Sequence, residues 1–124
     1  VTPRLAAWVA LGAVAGALLR WAASAGAPRV VGVPAATLGV NLVGSFVLGV
    51  IAGWSGPDGR VSAETRAAVG TGFCGALTTM STFAVETLAE APLRAAANVG
   101  ANVGGSLLAA AAGLWVGRAL RGPG

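Results

Sequence analysis

A chain of 124 residues with 56% hydrophobic and only 10% charged residues is not an ordinary soluble domain, in which about a quarter of residues are charged. Its mean hydropathy of +0.79 calls for a membrane, and a span takes roughly 20 apolar residues, so the composition predicts an all-α membrane protein with four transmembrane helices. The net charge of +4 rests on dispersed arginines that form no basic stripe, against nucleic acid as a partner. With no histidine and a single cysteine, Cys74, imidazole catalysis, an internal disulfide and a Cys/His metal cluster are excluded.

The first span is expected over about residues 5–25, as a retained helix rather than a cleaved signal. Gly12 and Gly16 form a GxxxG pair that permits close helix approach. Arg20 interrupts the far end beside Trp21, a residue suited to the interfacial belt. "GAPRVVGVP", Gly26 to Pro34, reads as a turn centred on Arg29. The second span, about 35–54, carries Thr37, Asn41 and Ser45 at i, i+4 and i+8, on one helical face. "SGPDGR", Ser55 to Arg60, is dense in turn formers. Ser62 is placed to cap the third helix, with Glu64 in its first turn. The third span, about 64–89, is ended by Pro92, unless that proline begins the next helix, and the fourth, about 93–118, repeats the polar spacing with Asn98, Asn102 and Ser106. "RGPG" is a frayed tail, and residues 1–124 read as one transmembrane domain.

Lipid cannot satisfy amides, so the two polar stripes turn toward protein or water. They fit two readings, interhelical hydrogen bonds that glue the bundle or the lining of a path. Four helices make a thin wall for a path, so oligomerisation is expected, and further GxxxG pairs stand at Gly49/Gly53, Gly100/Gly104 and Gly113/Gly117. Arg4, Arg60, Arg66, Arg118 and Arg121 fall on one side of the membrane and Arg20, Arg29 and Arg94 on the other. That near-balance gives only a mild orientation preference and suits a protein that inserts both ways.

"GFCGALTTMSTF", Gly72 to Phe83, is unusual for a helix in lipid: two glycines, a cysteine and four hydroxyls. The overlapping "GTGFCG" matches GxGxxG literally but lacks the strand-to-helix context of a dinucleotide site. Glycine weakens a helix and Ser or Thr can bend it, and interrupted membrane helices offer free backbone groups to ions. Close packing is the alternative reading. Arg20 is an interfacial anchor or an attractor of anions, and Glu86 its partner, a proton carrier or an interface residue. The first, second and fourth spans hold no central carboxylate. Amides and hydroxyls donate hydrogen bonds and aromatic edges are electropositive, so a small, strongly hydrogen-bonding anion is the physical suggestion.

"GFCGALTTMSTF" resembles the signature GFxGxxTTFSTF of the fluoride channel family (Fluc, or CrcB); "GALLRW" (Gly16 to Trp21) and "TLGVNLVGSF" (Thr37 to Phe46) support it, and with the four-span layout the likeness covers nearly the whole chain. The resemblance implies an antiparallel, dual-topology homodimer with two fluoride pores along the subunit interface. It also implies a structural sodium ion at the dimer centre, held by backbone carbonyls at positions matching Gly75 and Thr78. Phe83 matches one of two pore phenylalanines, and Met80 replaces the other with a side chain that has no ring edge but can still shape the pore. Asn41 matches the pore asparagine. Thr37, Asn102 and Ser106 fall on its polar track, which Ala110 does not extend. Ser81 and Thr82 take the motif's hydroxyl positions, Arg20 matches a vestibule arginine, and Glu86 matches an acidic residue that follows the motif.

The implied function is passive export of fluoride across the cell (inner or plasma) membrane, lowering cytoplasmic fluoride, with no catalytic step and so no enzyme. Fluoride, the lipid bilayer and a second copy are the expected partners, with a non-identical family subunit as a variant of the last. The competing expectation is a small dual-topology multidrug or proton-coupled exporter, which lacks its usual first-helix carboxylate here. A non-transporting scaffold is the third.

Overall fold

The computed structural model describes residues 1–30, 32–57 and 60–122. Four helices are long and apolar enough to cross a membrane: α1 (Pro3–Ser24), α2 (Ala35–Ser55), α3 (Ala63–Leu88) and α4 (Pro92–Arg121). Their beginnings are written locally. The Thr2 hydroxyl accepts the Leu5 N–H at 3.3 Å ahead of Pro3, and Ser62 accepts the Thr65 N–H at 3.1 Å ahead of Glu64. Pro92 opens α4, where its missing N–H costs nothing. Gly56, at φ 33°, closes α2.

Between α1 and α2 the expected simple turn is a short antiparallel hairpin. Strand β1 (Arg29–Val30) pairs with β2 (Val33–Pro34), Arg29 opposite Pro34. Gly32 supplies the φ of +81° that the reversal requires. The Arg29 guanidinium donates to the Gly32 carbonyl at 3.3 Å and pairs with Glu90 in the α3–α4 loop. Arg94 stands 4.0 Å from the other oxygen of Glu90, whose side chain is only 8% exposed. The hairpin is thereby fastened to the loop across the bundle. Of the "SGPDGR" loop, Asp58 and Gly59 lie outside the described residues, as do Pro123 and Gly124 of the tail.

Glycine decides how the helices pair. A methyl group on Gly12, Gly16 or Gly72 would run into the carbonyl of Ala68, Phe73 or Val9 respectively, so α1 and the first half of α3 touch backbone to backbone. Gly49 and Gly53 of α2 meet the carbonyls of Ala110 and Leu114, and Gly113 and Gly117 of α4 meet those of Phe46 and Val50. Two glycine-fastened pairs result, α1 with α3 and α2 with α4. Gly100 and Gly104 meet nothing within 4 Å and instead fall in a π-helical stretch, Gly100–Gly104. A second such stretch, Arg66–Cys74, runs into the start of the motif in α3; wide i→i+5 turns of this kind recur at functional sites.

The burial pattern is that of a membrane protein. Leu11, Val14 and Leu18 of α1 and Leu107, Leu108 and Trp115 of α4 face outward, whereas Thr37, Thr79, Asn98 and Asn102 are buried. Lipid covers the apolar exterior, and the polar groups find partners within the protein.

Candidate functional site

Helix α3 breaks where the hydroxyl-rich stretch predicted it. The first half ends at Leu77, Thr78 and Thr79 are extended, and the helix restarts over Met80–Leu88. In an unbroken helix the Thr79 N–H would donate to Gly75 and the Thr82 N–H to Thr78. Here Thr79 N–H donates to Asn41 Oδ1 at 2.8 Å, and Thr82 N–H to Thr79 Oγ1 at 3.2 Å. The carbonyls of Gly75 and Thr78 are thus released from the ladder. That of Thr78 accepts a long hydrogen bond, 3.4 Å, from Arg20 Nη1. Nothing lies within 4 Å of where a Gly75 side chain would stand.

Asn41 clamps the break from α2. Its Nδ2 donates to the Thr79 carbonyl at 3.3 Å and to Asn102 Oδ1 at 3.0 Å. Asn102 Nδ2 donates in turn to the carbonyl (3.3 Å) and Oδ1 (2.8 Å) of Asn98. Asn98, fully buried, donates to Thr87 Oγ1 at 2.8 Å, and Thr87 donates to the Phe83 carbonyl at 2.7 Å. The chain of bonds runs from the break through α2 and α4 and back to α3. Both N–H groups of Asn41 and both of Asn102 are engaged in it. The amides, expected to offer donors to a passing anion, line the first cavity and are bonded within the chain as well. Ser45 and Ser106 make no hydrogen bond among the described residues, so the donors left over are hydroxyls.

Two cavities flank the break. The first, about 380 Å³, is lined by Asn41, Ser45, Thr78, Phe83, Asn102 and Ser106, with Met80 and Gly75 at its wall and no charged side chain. Phe83 is 7% exposed there and Met80 74%, so the two positions of the expected aromatic pair differ in kind: Phe83 is seated in the fold and Met80 projects from it. The second, about 300 Å³, gathers Arg20, Thr37, Ser81 and Thr82. The structure therefore divides the expected single track. Thr37 shares a helical face with Asn41 and Ser45 but opens into the cavity of Arg20. No ion pair joins Arg20 to Glu86 among the described residues, and Glu86 Oε2 is buried there without a hydrogen-bond partner. Ala110 lines neither cavity.

Residues 7–117 match the family described as CrcB-like protein, Camphor Resistance (CrcB). The chain belongs to the CrcB family. It is 44% identical over 123 residues to the fluoride-specific ion channel FluC of Methanopyrus kandleri, a match covering 90% of this chain and 92% of that protein. The FluC protein of Thermococcus onnurineus is 45% identical over 104 residues, covering 81% and 85%. That of Alteromonas mediterranea is 43% identical over 108 residues, covering 82% and 85%.

Two contributors to the site in this CrcB chain escape a reading by polar stripes. Thr79 was visible only as the second half of a Thr-Thr pair. The hydroxyl three residues before Thr82 was its one local signal as a helix cap. Thr87 stood outside the motif, and its link to Asn98 is tertiary.

Proposed function

We propose that this CrcB-family chain is a passive, fluoride-selective channel in the cytoplasmic membrane. The observation that carries the reading is the cavity beside the broken helix: it lies within the membrane-spanning region, sets the hydroxyls of Ser45 and Ser106 and the Phe83 ring in a largely apolar wall, and contains no carboxylate. Neutral donors and electropositive ring edges attract a small anion without trapping it. The relatives named as fluoride-specific channels supply the identity of the ion. Hydrogen fluoride enters cells as a neutral acid and dissociates; a negative-inside potential drives the ion out, with no chemical step.

The working unit in this reading is an antiparallel pair of copies. The first cavity is an open groove with Met80 exposed at its wall and Val103 beside it, and a second copy would close it. The freed carbonyls of Gly75 and Thr78 are neutral, hard oxygen donors of the kind that unwound membrane helices offer to sodium, and they fit a sodium ion shared between two chains. Such an ion would supply fixed positive charge at the centre of the pair. Met80 shapes the groove, while Phe83 and the hydroxyls contact the anion.

The test is fluoride release from liposomes holding only this purified chain, read with a fluoride electrode and repeated with chloride. Fast fluoride release, without chloride and without a pH gradient, is the expected result. A folded dimer that releases nothing would overturn the reading.

A further inference from the structure

The two cavities have one lining residue in common, Thr79. Its side chain is buried, 7% exposed, and its main chain is held on both sides by Asn41, through the N–H at 2.8 Å and the carbonyl at 3.3 Å. The Thr79 hydroxyl accepts the Thr82 N–H at 3.2 Å and donates to Thr82 Oγ1 at 3.0 Å. Ser81 Oγ stands 3.4 Å away. A hydroxyl carries one hydrogen and accepts with its lone pairs. With Thr82 Oγ1 already accepting from Thr79, the hydrogen of Thr82 remains available to donate, and Thr82 is exposed and lines the second cavity.

We propose that Thr79 is the passage between the cavities and the positioning residue that aims the Thr82 hydroxyl at an anion crossing it. The proposal rests on the channel reading above. Asn41 fixes where Thr79 sits, and Thr79 fixes which way Thr82 donates. An anion leaving Ser106 and Phe83 then meets a donor already turned toward it, without waiting for a side chain to reorient. Thr79 is thus a specificity element for anions that demand a strong, directed hydrogen bond.

The experiment compares Thr79→Val, which keeps the shape and removes the hydroxyl, with Thr79→Ser, which keeps the hydroxyl, in the same liposome assay. Thr79→Val is expected to slow fluoride release by about tenfold or more, the loss of one hydrogen bond of ~1.4 kcal/mol, while Thr79→Ser stays within about threefold. A purely structural cap would show as lower thermal stability with release unchanged. Wild-type-like release by Thr79→Val, or equal loss in Thr79→Ser, would overturn the proposal. Thr82→Val keeps the Thr82 N–H bond to the Thr79 hydroxyl and removes the aimed hydroxyl together with the acceptor of the Thr79 hydrogen, so slowed release is expected from it even where Thr79→Val fails to assemble. Unimpaired release by Thr82→Val also overturns it. A wild-type chain that releases no fluoride would instead sink the channel reading itself, so the two failures are distinct.

Discussion

Replacing Asn41 by Asp changes a single terminal group, and the geometry around it sets the consequence. Asn41 Oδ1 would keep its bond from the Thr79 N–H, but the two donors of Nδ2 disappear. The Thr79 carbonyl and Asn102 Oδ1 would then face a second acceptor, and each orphaned buried acceptor costs about 1–3 kcal/mol. The new charge also opens onto the first cavity. At an effective dielectric of ~20, a unit negative charge about 4 Å from an anion raises its energy by about 4 kcal/mol, a roughly thousandfold loss of occupancy. Asn41→Ala removes these two hydrogen bonds, and the one from the Thr79 N–H besides, without adding the charge. Asn41→Asp is therefore expected to release fluoride at least about tenfold more slowly than Asn41→Ala, allowing for screening by water in an open groove. Flux from liposomes, normalised to protein that elutes as the wild-type assembly, measures it. Equal release by the two variants would remove Asn41 from the side of the path, and wild-type release by Asn41→Asp would refute the placement outright.

Met80→Phe, which restores the motif's aromatic ring, is expected to keep fluoride release within about threefold, since Met80 shapes the groove wall and a ring of similar bulk can take its place there. Loss of release from an intact dimer would show that shape at Met80 is not interchangeable. Gly113→Val sets a branched side chain against the Phe46 carbonyl and is expected to cost about 1–3 kcal/mol by overpacking; thermal unfolding in detergent reads it, and an unchanged midpoint would mean that α2 and α4 are not held at backbone contact. Exchanging sodium for a large organic cation is expected to lower the melting temperature of the wild-type assembly, because a ligand bound only to the folded form stabilises it by mass action. A midpoint indifferent to sodium from micromolar to about 100 mM would count against the carbonyls of Gly75 and Thr78 as its site.

The spans were legible in the sequence because membrane thickness and hydropathy are properties of local composition. Their ends were legible too, through Ser62 and Pro92. The glycine pairs at 12/16, 49/53 and 113/117 marked close approach, though not which helices meet; that choice is made by the partner's carbonyls. The break could be read from Gly72 to Phe83 as a weakness. Its place beside Thr78 came only from the likeness to the family motif and not from local propensity, because Asn41, distant in sequence, captures the Thr79 N–H. The same holds for the cavities. Periodicity put Thr37, Asn41 and Ser45 on one face, but an extended pair of residues from α3 lodges against that face at Asn41 and parts the track in two. The hairpin of Arg29 to Pro34 was missed because two-residue strands leave no alternation to detect. The π-helical stretches leave no local signature at all.

The break also explains how an anion path can be built here with so few charged side chains. A helix carries partial negative charge at its C-terminal carbonyls and partial positive charge at its N-terminal amides. Interrupting α3 sets both kinds of end side by side in the middle of the membrane. The first half ends with the loosened carbonyls of Gly75 and Thr78, and the second begins at Met80 behind the Thr79 cap. The carbonyl end suits a cation, and Arg20 already approaches it from α1. The amide end, with Ser81 and Thr82 in its first turn, suits an anion and opens into the cavity of Arg20 and Thr37. A carboxylate near the second end would repel the anion, and a buried lysine would hold it too tightly to pass. Backbone dipoles avoid both outcomes because their charge is partial and fixed in direction. The Asn41–Asn102–Asn98 ladder stabilises the interruption by satisfying the polar groups that the break exposes. In the channel reading proposed above the two polar types divide the work: asparagine holds the backbone open at the break, and hydroxyls on the wall donate to the anion.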